Sequence, residues 1–319
     1  MSMPLGRREM LVQMGFAVGG GVMAGIAPSP SALSYELDGS EPFRYCFNTS
    51  TIRGQGLPIT DVVDIAAKAG YVGIEPWIDE IERYMQSGGS LRDLAKRICD
   101  NGLMVESAIG FAEWIVDDEG RRAKGLEQAR RDMDLVAQLG GRRIAAPPAG
   151  ATDQADLNLL AVAERYRALL ELGDRMGVEP QIEVWGFSKC LHRLGQAVLV
   201  AVESGHPRAG ILADVYHLYK GGSDIQGLKV LNGAALHVFH VNDYPAHPPR
   251  ETITDADRVY PGDGIAPLGK LFRDLRDIGF TGALSLELFN ETYYKQDPFT
   301  VAKTGLEKLR AVVRGSLAE

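Results

Sequence analysis

The chain is short of several features that would place it in particular classes. Three cysteines, Cys46, Cys99 and Cys190, are scattered over 319 residues. A disulfide scaffold or a thiolate zinc site needs more of them at closer spacing, so all three read as core thiols. No apolar run reaches the roughly 20 residues that span a bilayer, so a stable membrane span is not expected. No GxGxxG follows a first strand, so a dinucleotide-binding fold has no support. Positive charge is in deficit: 34 Lys and Arg against 42 Asp and Glu leave a net charge of −8, which repels polyphosphates and disfavours nucleic acid as a partner. What is present is ordinary. An apolar fraction of 45% and a charged fraction of 24% allow a full core and exclude disordered and collagen-like chains.

Residues 1–34 differ from the rest. Arg7 and Arg8 precede Met10 and Leu11, and an uncharged Gly-rich run extends from Met14 to Ala27 before Pro28 and Pro30. Ala32 and Ser34 supply the small residues that a signal peptidase requires. That order of charged, apolar and small residues is a signal-peptide layout. With adjacent arginines and only mild hydrophobicity the leader resembles a twin-arginine signal, with Met10 where the motif usually has Phe. The reading implies the Tat machinery as a partner, a periplasmic or otherwise exported location, and a protein that folds, often with its metal, before it crosses. The mature domain is then 35–319.

From there on, short β-rich apolar runs alternate with longer amphipathic ones, the signature of βαβ units and a parallel sheet. Eight strand candidates are legible: Phe43–Asn48, Tyr71–Pro76, Met104–Ile109, Arg143–Ala146, Gln181–Val184, Gly210–Asp214, Leu236–Val241 and Ala283–Leu288. Helical stretches between them include Ile59–Ala69, Ser90–Asn101, Leu126–Leu139, Leu157–Met176, Leu191–Val202 and Leu268–Ile278, several with a Gly or Asn C-cap at Gly70, Asn101, Gly140, Gly177 or Gly279. Eight alternations in one domain predict an α/β fold, a single-domain (β/α)8 TIM barrel.

In such a barrel the site is built at the C-terminal ends of the strands. The fifth to eighth candidates end in Glu183, Asp214, His240 and Glu287. A carboxylate on an apolar strand is costly to bury unless paired or bound to a cation, and three of them with one imidazole leave excess negative charge. One divalent metal ion resolves the conflict, and the oxygen-rich set suits Mn2+, Mg2+, Co2+ or Zn2+ alike.

The runs GIEPW at Gly73, IEVWG at Ile182, DVYH at Asp214, HVND at His240, PGDG at Pro261 and LSLELF at Leu284 resemble the xylose-isomerase-like barrel superfamily, specifically its sugar isomerase and epimerase branch. That branch includes ketose 3-epimerases, hydroxypyruvate isomerase and inosose dehydratase. The resemblance implies that Glu183, Asp214, His240 and Glu287 bind the metal and that the two glutamates also shuttle a proton. It also implies substrate contacts from His217 and Arg258. A nuclease branch carries Asp-Arg-His where this chain reads Asp257, Arg258, Val259, so the imidazole for a larger zinc cluster is missing.

Other residues have weaker claims. Glu75 serves either as a substrate contact, as a partner of a metal ligand or as a structural salt bridge. Trp185 is placed to stack on a sugar ring, with Trp77 and Trp114 more readily explained by packing. Asp243 either orients a ligand or caps the next segment.

The expected function is a metal-dependent isomerase or epimerase of a small carbohydrate, acting through an enediolate with Glu183 and Glu287 as bases. A lyase that uses the same enediolate is the alternative, and a non-catalytic periplasmic sugar-binding barrel is the rival of another class. Assembly into a homo-oligomer is left open by the sequence.

Overall fold

A computed structural model describes residues 43–318; the leader 1–34 lies outside the described residues. Eight parallel strands form the sheet: β1 (Arg44–Asn48), β2 (Gly73–Glu75), β3 (Met104–Val105), β4 (Arg143–Ala146), β5 (Glu179–Glu183), β6 (Gly210–Asp214), β7 (Leu236–Val241) and β8 (Ala283–Leu286). Each matches an expected strand. The helices are α1 (Ile59–Ala69), α2 (Ile78–Gln86), α3 (Leu91–Asp100), α4 (Glu119–Gln138), α5 (Leu159–Met176), α6 (Leu194–Glu203), α7 (Val215–Gly221), α8 (Leu268–Asp277) and α9 (Pro298–Leu317). The left-handed residue after α3 is Gly102 rather than Asn101, which keeps φ −82 as the cap.

Lateral order runs β3-β2-β1-β8-β7-β6-β5-β4. The remaining edge, between β3 and β4, is bridged by the Ala145 N–H donating to the Ala108 carbonyl at 2.9 Å. The third strand is shorter than its sequence suggests because regular pairing stops at Val105. The chain nonetheless continues beside β2, with Glu106 N–H bonded to the Ile74 carbonyl and Ile109 N–H to that of Pro76.

Two apolar bodies hold this arrangement. A large core between sheet and helices includes Phe47, Val63, Ile74, Tyr166, Ile182, Phe239, Leu284 and Leu309. A small one of Cys46, Ile109, Ala145, Leu212, Val238 and Ala283 fills the barrel interior, with Trp77 packed on it. These inward residues are mostly small, because eight strands leave room for little more. Gly73 is needed on the same level: a Cβ there would lie 2.7 Å from Cγ of Glu106, whose carboxylate bonds Arg44 across the barrel at 2.7 Å. Of the cysteines, Cys46 and Cys190 are buried as expected, but Cys99 is exposed on the outer face of α3.

The loop after β3 rests on a buried acid. Asp132 on α4 is 3% exposed, and its Oδ2 lacks a hydrogen-bond partner. Burial raises its pKa to about 6. A carboxyl raised in the folded state favours folding below its unfolded pKa, and this contribution is lost as pH rises through the interval up to about 6. Asp132→Asn is therefore expected to stabilise the barrel by up to about 3 kcal/mol near neutrality and by almost nothing near about pH 4. Denaturant unfolding at both pH values checks this, and an equal effect at the two would refute it.

Candidate metal centre and active site

The register of the strands brings the predicted ligands to one level. Asp214 pairs with His240 and Asn48 with Glu75, while Ser285 sits beside His240. His240 is the hub. Its Nδ1 lies 3.2 Å from Oε2 of Glu287, 3.8 Å from Oδ2 of Asp214 and 3.9 Å from Oε1 of Glu183. Asp214, His240 and Glu287 offer ligand atoms all within 4.8 Å of one another; Glu183 adjoins that trio through His240. All four residues are buried.

Behind His240, the Nε2 atom meets Oε2 of Glu75 at 2.9 Å. The same oxygen accepts from Ser285 Oγ at 2.7 Å and Asn48 Nδ2 at 3.0 Å. Glu75 is fully buried, so it sits beneath the imidazole rather than on an exposed substrate surface. Asn48 also donates to Oε1 of Glu287 at 3.1 Å and accepts from the Trp77 indole at 3.0 Å. Asn242 donates to Oδ2 of Asp214 at 3.0 Å. Asn48, Asn242 and Ser285 are site residues that sequence reasoning misses. Their signal was their polarity at inward positions of apolar strands, but a neutral amide or hydroxyl carries no charge conflict that demands an explanation.

Arg258 reaches in from the loop after β7. Its Nη1 donates to Oε2 of Glu287 at 2.8 Å and to Oδ2 of Asp214 at 3.1 Å, and its Nη2 lies 3.2 Å from Nε2 of His217. Both Arg258 and His217 are buried against the candidate ligands. His217 also accepts from the Gly186 N–H through Nδ1 at 3.2 Å.

The electrostatics follow from burial. Burial raises the pKa of Glu183 to about 8, against the pull of His240. Burial also pushes Glu287 upward, but His240 and Arg258 outweigh it and hold that carboxyl well below its usual range. On His240 burial disfavours charge, yet Glu287 and Glu75 raise its pKa well above normal. Burial and Arg258 together lower that of His217.

These residues fit a divalent ion. Glu183 Oε2 is buried without a hydrogen-bond partner, and His240 Nδ1, 3.2 Å from Glu287 Oε2, makes no well-directed hydrogen bond. Even with His240 charged, the buried carboxylates of Glu75, Glu183, Asp214 and Glu287 outnumber the cations His240 and Arg258, an excess of negative charge that a dication would offset. One nitrogen with several oxygens is a donor set that Zn2+, Mn2+, Co2+ and Mg2+ accept.

The weaker candidates separate. Trp185 stands at the rim, between Phe111 at 5.9 Å and Phe187 at 5.1 Å between ring centroids. Trp114 is buried and donates to the Pro147 carbonyl at 2.9 Å, so it packs. Asp243 accepts from the N–H groups of Gly262, Gly264 and Ala266 at 2.9 to 3.1 Å, so it shapes the PGDG turn rather than a ligand. A Cβ on Gly264 would lie 2.3 Å from Asp243 Oδ1, which explains the glycine.

A family model described as xylose isomerase-like TIM barrel matches residues 63–312. The chain belongs to this family. Among its relatives, the inosose isomerase of Bacillus velezensis is 27% identical over 275 residues, covering 85% of this chain and 97% of that protein. A 3-dehydroshikimate dehydratase of Pseudomonas putida is 22% identical and covers 79% of this chain but 39% of that protein. A solved structure of an IolI protein with a bound zinc atom has a TM-score of 0.79 at 24% identity, over 86% of this chain and 99% of that one. At that identity the likeness establishes the fold.

Proposed function

We propose that this xylose isomerase-like barrel is a metal-dependent isomerase or epimerase of a small polyol ketone. The observation that carries the reading is the convergence of Glu183, Asp214 and Glu287 on the buried Nδ1 of His240, with glutamates arriving from β5 and from the β8 end. Glu183, Asp214, His240 and Glu287 would hold the ion, which when bound supplies Lewis-acid polarisation of a substrate carbonyl. The relatives named as inosose isomerase and the zinc in the IolI structure support that assignment.

This chain's own residues do the rest. One glutamate removes the proton next to the carbonyl and the other returns a proton, either to the opposite face of the same carbon or to its neighbour. Arg258 and His217, both against the ligands, orient substrate oxygens. Burial of the ligands keeps bulk water from the exposed carbanion.

The test is turnover of a ketose and inosose panel by metal-reconstituted protein, with product analysis. A stereoisomer or ketose-aldose pair, with one ion per chain by elemental analysis, is the expected result. An unsaturated, dehydrated product would make it a lyase, the reaction class of the dehydratase relative. Tight sugar binding with no turnover would leave a binding barrel.

We further read the leader as an export signal that carries the folded protein through the twin-arginine route. Replacing Arg7 and Arg8 together by Lys is expected to leave full-length precursor in the cytoplasm, seen by fractionation and immunoblotting. Unchanged export of the variant would assign another route.

A further inference from the structure

The loops above the ligands carry a run of six aromatic rings whose two ends are joined by a guanidinium. Phe289, just past β8, meets Trp77, past β2, at 5.9 Å between centroids. Trp77 meets Phe111 at 5.2 Å, Phe111 meets Trp185 at 5.9 Å, and Trp185 meets Phe187 at 5.1 Å. Phe187 meets the His217 ring at 5.7 Å, and Arg258 closes the circle, 3.2 Å from His217 and 5.0 Å above Phe289. His217 and Arg258 touch the metal-ligand level, whereas Phe111 and Phe187 are 38% and 47% exposed. The circuit is therefore a collar with a polar inner edge and an apolar outer one.

Six aromatic rings exceed what one monosaccharide can cover, since a polyol offers only a small apolar face to one or two of them. Exposed aromatic side chains joined through a shared neighbour, as Phe111 and Phe187 are through Trp185, mark a binding surface more often than isolated ones do. Arg258 faces the reacting polyol, and the cations at the outer rim have carboxylate partners: Arg53, 4.3 Å over Trp77, pairs with Asp79, and Lys189, two residues past Phe187, with Asp153. Among the described residues, a phosphate at the outer rim would have to compete with these carboxylates for its cation.

We propose that the collar binds an apolar ring attached to the reacting polyol, so that the substrate is an unphosphorylated conjugate that joins an aromatic group to a sugar still carrying a free ketone, such as a keto-glycoside with an aromatic aglycone. The inference rests on the reading that the polyol part enters the His240 centre. Phe111, Trp185 and Phe187 then set specificity, and the proton chemistry below is unaffected by which ring they hold.

The test is binding of phenyl β-D-glucopyranoside, methyl β-D-glucopyranoside and glucose 6-phosphate to the metal-loaded full chain, by tryptophan fluorescence and calorimetry. The phenyl glycoside is expected to bind about tenfold more tightly than the methyl one. Phe111→Ala and Phe187→Ala, both at exposed positions, are each expected to remove most of that preference while metal content and circular dichroism stay unchanged. Equal affinity for the two glycosides, tightest binding of the phosphate, or a collar occluded by dimerisation that the alanine variants abolish would each overturn the inference. Because the readout is binding, those results leave the isomerase reading standing; failure of that reading shows instead as absent turnover across the ketose panel.

Discussion

Glu183→Gln and Glu287→Gln are each expected to lower turnover by roughly 10² to 10⁴, the usual contribution of one positioned acid or base. Glutamine nearly preserves volume, so the loss isolates the ionisable group. The two variants should differ in stability. Glu287 accepts from Arg258 at 2.8 Å and from Asn48 at 3.1 Å, so an amide there puts a donor against donors, whereas Oε2 of Glu183 has no partner to lose. Metal affinity should fall in both, so rates are compared at saturating ion. Reaction in D2O should place deuterium beside the carbonyl in the wild type, less completely where one glutamate returns the proton it took. Wild-type rates in both fully loaded variants would show that neither glutamate is the base.

Glu75→Gln is expected to weaken metal binding by about 10- to 100-fold, and His240→Ala by more. The reason lies in the imidazole. With a metal in place of the Nδ1 proton, Glu75 at 2.9 Å from Nε2 would keep the remaining ring proton on that nitrogen and leave the Nδ1 lone pair to the ion among Glu183, Asp214 and Glu287. A glutamine keeps one acceptor but loses the charge, and the tautomer is no longer enforced. Chelator competition measures both affinities. If Glu75→Gln binds metal as tightly as the wild type, Glu75 has no part in orienting His240.

The strands were legible because each is a short apolar run with an ionisable residue or a turn at its end. Ile182–Glu183 and Ala213–Asp214 combine a buried hydrophobe with a carboxylate that packing alone does not explain. Helices were read less fully. The stretch Leu126–Leu139 begins seven residues after the true start of α4 at Glu119, because Glu119 to Lys124 shows no apolar stripe on which a helix can be read. The helices α2 and α7 are short and follow strand ends directly, so their periodicity spans too few turns to stand out. The last one, α9, shows Val301, Leu306, Leu309 and Val313 at helical spacing, an apolar stripe that the sequence itself displays. In the site, charge made Glu183, Asp214, His240 and Glu287 visible. What charge does not mark is the support beneath them from Asn48, Asn242 and Ser285, or the meeting of Phe111 with Trp185, since both depend on register and loop path.

The seam between β3 and β4 divides the labour of the barrel. Neither strand contributes a side chain to the His240 centre, whose residues come from the unbroken lateral arc β2-β1-β8-β7-β6-β5. Phe111 lies in the loop that leaves the seam on its β3 side. Insertions or substitutions in that loop can therefore alter the shape of the entrance without disturbing the proton-transfer machinery. Such a barrel can change its clientele over evolutionary time by drifting at one flank, while the chemistry on the other side is inherited intact.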